Sequence, residues 1–388
     1  MLRKKIAIVL SRFPYPLNKG DKLRAYHQIV FLSKENDIYL YCLNDEKVNK
    51  HDFDEMNKFC VEVQLFELKK RTIAWNLTLS FLKKLPAQVG YFFDAGIQKK
   101  IEESILELKP DVVYGQLART ALYIKDLPFK RVIDFQDAFS TNYIRIAENS
   151  TFFKKLFYQR ESKLMKSFEQ NMLSWFDAST IISDFDKGQI AKENKHLMVV
   201  SNGVDTHYFS STPKEKKFDL LFCGNLSYLP NKNAVIFLCE KIAPLLIDKI
   251  PTIKINIVGG SSQTDFKKYE SNYIHFAGWV DDVRTAYNET KLFVAPLFTG
   301  AGLQNKLLEA MSMQVPCVAS SITNASLKAT ENKQVLIANN EYEFVEKIIQ
   351  LLNDEHLQNS FKINARTFVE ENYSWDKANQ ILENVLLK

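Results

Sequence analysis

The chain predicts an α/β protein made of two doubly wound parallel-sheet domains, and three observations predict it. Short apolar runs of strand length alternate with helical stretches along most of the sequence, the pattern of parallel strands joined by crossover helices. With 388 residues the chain is too long for one comfortable core. A polar stretch containing Pro213, SSTPKEKKFD at 210–219, separates two such alternating regions. No short internal repeat is present, only two halves of similar architecture.

Composition narrows the class. Hydrophobic content of 46% and charged content of 25% are those of a globular protein. The net charge of +5 is mild, and basic and acidic residues are mixed along most of the sequence without a recognised binding motif, so no nucleic-acid partner is expected. Five cysteines, an odd number without a CxxC spacing, read as buried thiols in a reducing compartment. The five-residue apolar run in MLRKKIAIVL is too short for a secretory segment, and no later run approaches the ~20 apolar residues of a membrane span. A cytoplasmic protein is expected.

In chain order, Ile6–Leu10 reads as the first buried strand. SRFPYPLNKGDK at 11–22 is a Pro/Gly loop leading into a helix from about Leu23 to Lys34. Further strands are expected at Ile38–Leu43, Val61–Leu65, Asp111–Tyr114, Arg131–Phe135, Ala178–Ile182 and Met198–Val200. Open α/β sheets bind ligands outside the carboxyl ends of their strands, so Gly20 is expected at the binding edge, with Asp21 and Arg24 in reach of substrate. A solvated helix position is the competing reading for Arg24. By the same logic VIDFQDAF at 132–139 ends a strand in polar residues; Asp137 is either a substrate contact or the N-cap of the next helix. VSNGVD at 200–205 reads as a strand followed by an Asn-Gly turn, where the chain passes between domains.

The second half is expected to carry strands near Leu220–Phe222, Ile253–Val258, Ile274–Phe276, Leu292–Ala295 and Val315–Ala319. Its central feature is GAGLQNKLLEAMSMQVPCVAS at 300–320, read as glycine loop, helix and strand. Gly300 and Gly302 permit close backbone approach, and the helix start offers unpaired N–H groups and a positive dipole end. Lys306 and Glu309 share one helix face, separated by roughly 4.5 Å of axial rise. A cation there suits phosphate, and a carboxylate one turn deeper can accept hydrogen bonds from a ribose diol, so a nucleoside diphosphate fits both. A solvated Lys–Glu pair is the alternative. The final stretch, 373–387, is an amphipathic helix with Ser374 as N-cap.

These residues also carry a resemblance. GAGLQNKLLEAMSMQVPCVAS resembles the donor-site signature of glycosyltransferase family 4, which has the GT-B fold. PYPLNKGDKLRAYHQIVFLSK is similar to a subgroup of exopolysaccharide-associated bacterial sugar transferases, and VSNGVD and FCGNLSYLPNKNA at 222–234 extend the match over most of the chain. The resemblance implies two Rossmann-like domains facing a cleft: an acceptor-binding domain over 1–205, a nucleotide-sugar-binding domain over 206–372, and a helix over 373–388 that crosses back. It implies retaining transfer of a sugar from a UDP- or GDP-type donor to a glycan or lipid-linked acceptor in surface polysaccharide or glycoconjugate synthesis. No cofactor and no metal ion would be required, because cations and helix dipoles meet the diphosphate and the departing phosphate oxygen takes the acceptor proton.

Residue by residue, the resemblance places Lys306 on the diphosphate and Glu309 on the ribose, and it puts Gly20, Arg24, Gly224, Asn225, Lys232, Gly300, Ala301, Gly302 and Leu303 around the donor. The chain departs from the pattern at three points. Asn225 stands where many members carry an Arg, with Lys232 close to the position of their Lys; Lys232, Arg24 or Arg284 would complete the phosphate site. Ala301 replaces the first Glu of the E-x7-E pair, leaving its role to the backbone amides of Ala301–Leu303 or to another residue. Where the family usually has a histidine, the chain has Gln136 and Asp137, and Asp137 is the candidate for contacting the transferred sugar or the acceptor hydroxyl. The base is expected near HFAGWVDDV at 275–283, with Trp279 either stacking on it or packed in a core or domain interface.

Two segments, 69–84 and 152–166, combine basic and apolar residues. Either they lie on an anionic membrane surface or their apolar faces pack on the sheet. Asp184-Phe185-Asp186 matches a metal-binding Asp-x-Asp pattern but reads as a helix start capped by Ser183. The six histidines show no close ligand pairing. Two other classes share these features: a GT-B sugar-nucleotide epimerase and a catalytically silent GT-B scaffold subunit.

Overall fold

The computed structural model describes residues 3–148, 150–260, 266–299 and 303–388. The chain divides into two units, Met1–Ser201 with Ala378–Lys388, and Asn202–Lys377. The division falls at Ser201 and Asn202 rather than after Asp205, and the returning segment starts at Ala378 rather than at Tyr373.

In the first unit the apolar runs fold as β1 (Lys4–Leu10), β2 (Asn36–Asn44), β3 (Glu62–Glu67), β4 (Val112–Gln116), β5 (Lys130–Asp134), β6 (Ala178–Ile181) and β7 (Leu197–Val199). They pair in the order β3-β2-β1-β4-β5-β6-β7, and each pairing is parallel. Five successive residues, Ile6 to Leu10, are buried in β1, as expected for a strand covered on both faces. Alternate residues feed two cores: Ala7 and Val9 pack with Ile101 and Ile133, whereas Ile6 and Ile8 pack with Ile29, Leu382 and Leu386.

The second unit contains β8 (Phe218–Cys223), β9 (Ile255–Val258), β10 (Ile274–Gly278), β11 (Thr290–Ala295), β12 (Cys317–Ala319) and β13 (Leu336–Ile337). Their order is β10-β9-β8-β11-β12-β13, again parallel. In each sheet the strand order reverses at one place, between β1 and β4 and between β8 and β11. Such a switch point opens a crevice at the carboxyl ends of the strands.

Several local expectations are corrected. The first helix spans Gly20–Leu32, beginning three residues early because Gly20 and Asp21 already form its first turn. The two-residue strand β13 is too short to leave a sequence signal. No turn forms at Asn202-Gly203. The chain there is extended, Val204 bridges to Ser374, and a Cβ on Gly203 would lie 2.5 Å from the Trp375 backbone nitrogen. Glycine is required by close packing, not by turn geometry.

The final helix, Trp375–Leu387, carries Asn379 and Glu383 within the part that belongs to the first unit. Asn379 Nδ2 donates to the His27 carbonyl at 3.0 Å, and Asn36 Nδ2 donates to Glu383 Oε1 at 3.0 Å. All five thiols are free. Burial pushes Cys60, Cys223 and Cys239 up to about 12 and raises Cys42 and Cys317 as well. Among the described residues no helix is long and apolar enough to cross a membrane.

Replacing Gly203 by Ala is expected to cost about 1–3 kcal/mol, since the new methyl meets backbone rather than a movable side chain. Urea unfolding of Gly203→Ala against the parent checks this.

Candidate active site

At the β8/β11 switch point of the second unit, β8 ends at Cys223 and the chain turns at Gly224. Its φ of +152° suits glycine alone, and an added Cβ would lie 3.0 Å from Lys306 Nζ. Lys306 and Glu309 project from the helix Asn305–Ser312. Lys306 Nζ donates to Asn231 Oδ1 and sits 5.1 Å from the Phe222 ring centroid. Burial pulls this ammonium down to about 8, against the opposing pull of Cys223 and Glu309. Among the described residues no carboxylate lies within ion-pair distance of it. Asn225 is exposed; its carbonyl accepts from Asn231 Nδ2 at 2.8 Å, which holds the amide that grips Lys306.

Glu309 is oriented from beneath. The Tyr287 hydroxyl lies 3.1 Å from Glu309 Oε2, 3.1 Å from the Lys306 carbonyl and 2.9 Å from Cys223 Sγ, and donates to one acceptor at a time. Burial raises the Glu309 carboxyl, and the Tyr287 bond and Lys306 counter that rise. Its other oxygen accepts nothing from a described residue. Asn231 and Tyr287 were not singled out in the sequence. A Pro-Asn-Lys helix start and a Tyr between polar residues carry no signal of their own.

Beside this group, Leu226, Gly259, Phe266, Phe276, Ala277 and Gly278 line a cavity of about 300 Å³ at the ends of β9 and β10. It lies in the stretch expected to meet the base. Trp279 is 73% exposed, so core packing is excluded for it. Arg284 does not complete the phosphate site: Nη2 and Nε bind Asp282 at 2.7 and 2.8 Å, and the guanidinium stacks 3.9 Å over Tyr208. Lys232 is half-buried in the helix Leu229–Phe237, its N–H donating to the Tyr228 carbonyl at 3.0 Å. Gly300, Ala301 and Gly302 lie outside the described residues; Leu303, just after them, is half-buried.

In the first unit, Gly20 is exposed at the start of its helix, whereas Arg24 is 1% exposed and neither solvated nor open to substrate. Its Nε donates to Asp134 Oδ2 at 2.6 Å and its Nη1 to the Ser201 carbonyl at 3.1 Å. A buried carboxylate attracts it more strongly than water does. Asp137 is not the cap of the next helix. The start of Phe139–Glu148 is served by Asp186, which accepts from the Ala138 N–H at 3.5 Å, and by Glu169, which accepts from the Ser140 N–H at 3.2 Å. Asp137 accepts no hydrogen bond from a described residue. Burial, with Asp186 nearby, pushes its carboxyl up to about 7, the Arg24 charge opposing. Asp186 belongs to the helix start capped by Ser183, whose Oγ accepts from the Asp186 N–H at 3.1 Å. Among the described residues no group of three or more metal-ligating side chains converges.

Residues 217–354, which hold Gly224, Asn231, Tyr287, Lys306 and Glu309, match the family model described as Glycosyl transferases group 1. The chain is 26% identical to an uncharacterized 44.6 kDa protein in the cps region of Klebsiella pneumoniae, over 96% of this chain and 97% of that one. It is 26% identical to the capsular polysaccharide biosynthesis glycosyltransferase CapM of Staphylococcus aureus, over 51% of this chain and 58% of that one. Among solved structures, sucrose-phosphate synthase of Thermosynechococcus elongatus superposes with a TM-score of 0.70 at 12% identity, covering 99% and 98% of the two chains. HepE of Anabaena, solved with UDP-glucose, superposes at 0.68 with 13% identity over 98% and 99%. At these identities the likeness shows the fold, two Rossmann-like domains of the GT-B type.

Glu169 offers a test of the carboxylate cluster. Burial pushes it up to about 7 despite two bonds from Ser140, so between pH ~4.3 and 7 the unfolded chain has lost a proton that the folded chain keeps. Stability should therefore fall as pH rises through that window. Glu169→Gln is expected to flatten the fall, which melting temperatures between pH 5 and 8 would measure.

Proposed function

We propose that this chain is a retaining glycosyltransferase of the family 4 type. In this reading it moves a hexosyl or related sugar from a nucleoside diphosphate donor to a glycan or lipid-linked acceptor in surface polysaccharide synthesis. The observation that carries the reading is the partly buried Lys306 ammonium, without an ion-pair partner among the described residues, fixed by Asn231 beside the Gly224 backbone and one helical turn from Glu309. A desolvated cation of this kind gains most from an anion whose charge grows during reaction, as on a departing diphosphate. Glu309, braced by Tyr287, has one oxygen left for the ribose diol. The group 1 domain match and the polysaccharide setting of the capsular relatives support the same reading.

Lys306 neutralises the leaving diphosphate, whose oxygen takes the acceptor proton on the face it leaves, so no protein nucleophile and no metal ion are needed. Asp137, in the first unit, contacts the transferred sugar or orients the acceptor hydroxyl; a carboxyl near 7 can accept or return a proton at neutral pH. UDP is the first nucleotide to test, because the HepE neighbour was solved with UDP-glucose, and GDP is the second.

Titration calorimetry with UDP and GDP tests the donor site. One nucleotide should bind, Lys306→Ala should weaken it about 10–100-fold, and Glu309→Ala should weaken it less. Affinity should fall as pH rises through about 8, since the terminal phosphate is already ionised there and only the lysine still titrates. Transfer should persist in EDTA. Absence of binding by both nucleotides overturns the reading; turnover without any acceptor points to an epimerase, and binding without turnover to a scaffold.

We further propose peripheral contact with an anionic membrane through 69–84 and 152–166. The helix Lys70–Leu82 buries only Ser80 among its residues, leaving Trp75, Phe81 and Leu82 exposed, and Phe152 and Phe153 are 70% and 83% exposed. Arg160 stacks 4.2 Å over Phe81 and so joins the two segments into one surface ringed by lysines. Sedimentation with phosphatidylglycerol vesicles should carry the protein down at low salt. Phe152→Ser with Phe153→Ser should release it; neutral vesicles binding equally would count against the idea.

A further inference from the structure

The switch point of the first sheet, between β1 and β4, collects more hydrogen-bond donors than acceptors. Arg12 follows β1 directly. Arg119 follows β4 after Leu117, whose φ of +66° is uncommon for a branched residue. Both guanidiniums lie over the Phe92 ring, at 5.6 and 4.8 Å from its centroid, and both address one carboxylate oxygen. Asp21 Oδ2 accepts from Arg12 Nη1 at 2.9 Å and lies 3.8 Å from Arg119 Nη1, beyond hydrogen-bonding distance. Arg119 Nε donates to Gln88 Oε1 at 3.1 Å.

Three buried donors of this cluster, Arg12 Nε, Arg119 Nη1 and Gln88 Nε2, have no acceptor among the described residues. Another carboxylate, Asp45, takes the Tyr91 hydroxyl on Oδ2 at 3.0 Å, forms no ion pair with either arginine, and leaves its buried Oδ1 without a partner among the described residues. Asp21 is thus the one carboxylate among the described residues within ion-pair distance of these guanidiniums, Asp45 adding a longer-range pull on Arg119, and burial together with Arg12 brings Arg119 down to about 10. Orphaned donors around like charges are costly unless an anion completes them. Planar guanidiniums suit an oxyanion with several acceptor oxygens.

We propose that this crevice binds a phosphate group carried by the acceptor, with Asp21 occupying the anion position until the phosphate arrives. The proposal rests on the reading that the first unit holds the acceptor, but its test does not involve transfer. It differs from the donor site in location, in residues and in using arginine forks rather than a lysine point charge.

The experiment is calorimetry of inorganic phosphate at constant ionic strength with the full-length Lys306→Ala chain, in which the donor site is disabled. One saturable site is expected. Arg119→Gln should weaken it about tenfold or more, and Arg12→Gln carries the same test if that variant melts abnormally. Asp21→Asn should tighten binding several-fold, because it removes the competing anion; a purely structural role for Asp21 would not do so. Comparing methyl phosphate with a short prenyl phosphate separates a soluble from a lipid-linked source: equal affinity supports the first, tighter prenyl binding the second. No saturable binding, or binding indifferent to Arg119→Gln, Arg12→Gln and Asp21→Asn, overturns the proposal. Failure of the donor reading would show separately, in the UDP and GDP titrations of the unaltered chain.

Discussion

The first unit depends on one buried ion pair, Arg24 with Asp134. Asp134 is fully buried, and its two oxygens serve four donors: Arg24 Nε at 2.6 Å, the Tyr114 hydroxyl at 3.2 Å, Thr180 Oγ1 at 2.9 Å and the Gln136 N–H at 3.2 Å. The pair therefore ties the first helix to the carboxyl ends of β4, β5 and β6. Gln28, Gln116 and Gln136 extend the network along the sheet edge. Replacing both charges by apolar groups can be neutral, but losing one strands the other, at about 3–5 kcal/mol. This constraint decides which acid is structural: Asp134 is saturated, so Asp137, three residues on, is the carboxyl left with capacity for a ligand.

Cations near the two switch points are thus used in opposite ways. Arg24 is ion-paired with the fully buried Asp134 and holds strands together. Lys306, and Arg12 with Arg119, are less fully paired: Asn231 and the Phe222 ring hold Lys306, whereas the two arginines share Asp21 and lie over the Phe92 ring, with Gln88 taking Arg119. A cation held by amides and ring faces keeps most of its charge unspent. Burial lowers both Lys306 and Arg119, the direction expected of a cation that water no longer fully solvates.

Much of this architecture was legible in the sequence because parallel strands buried on both faces read as continuous apolar runs; Ile6–Leu10 and Leu292–Ala295 are the clearest examples. Lys306 and Glu309 were legible because helical spacing alone puts them on one face. What could not be read depended on contacts distant in sequence. Arg24 looked available because nothing near it announces Asp134, 110 residues away. The N-cap alternative for Asp137 stayed open because the actual providers, Asp186 and Glu169, arrive from other helices. Gly203 looked like a turn because its neighbour in space, Trp375, is far along the chain. The core alternative for Trp279 fails because the strand before it ends at the surface.

The five native thiols have a practical consequence. A maleimide reacts with thiolate, and every cysteine here is held far towards the protonated form by burial. A fluorophore or spin label directed at a cysteine introduced on an exposed helix would find that residue long before any native one, so the unaltered background of this chain already serves for site-selective tagging.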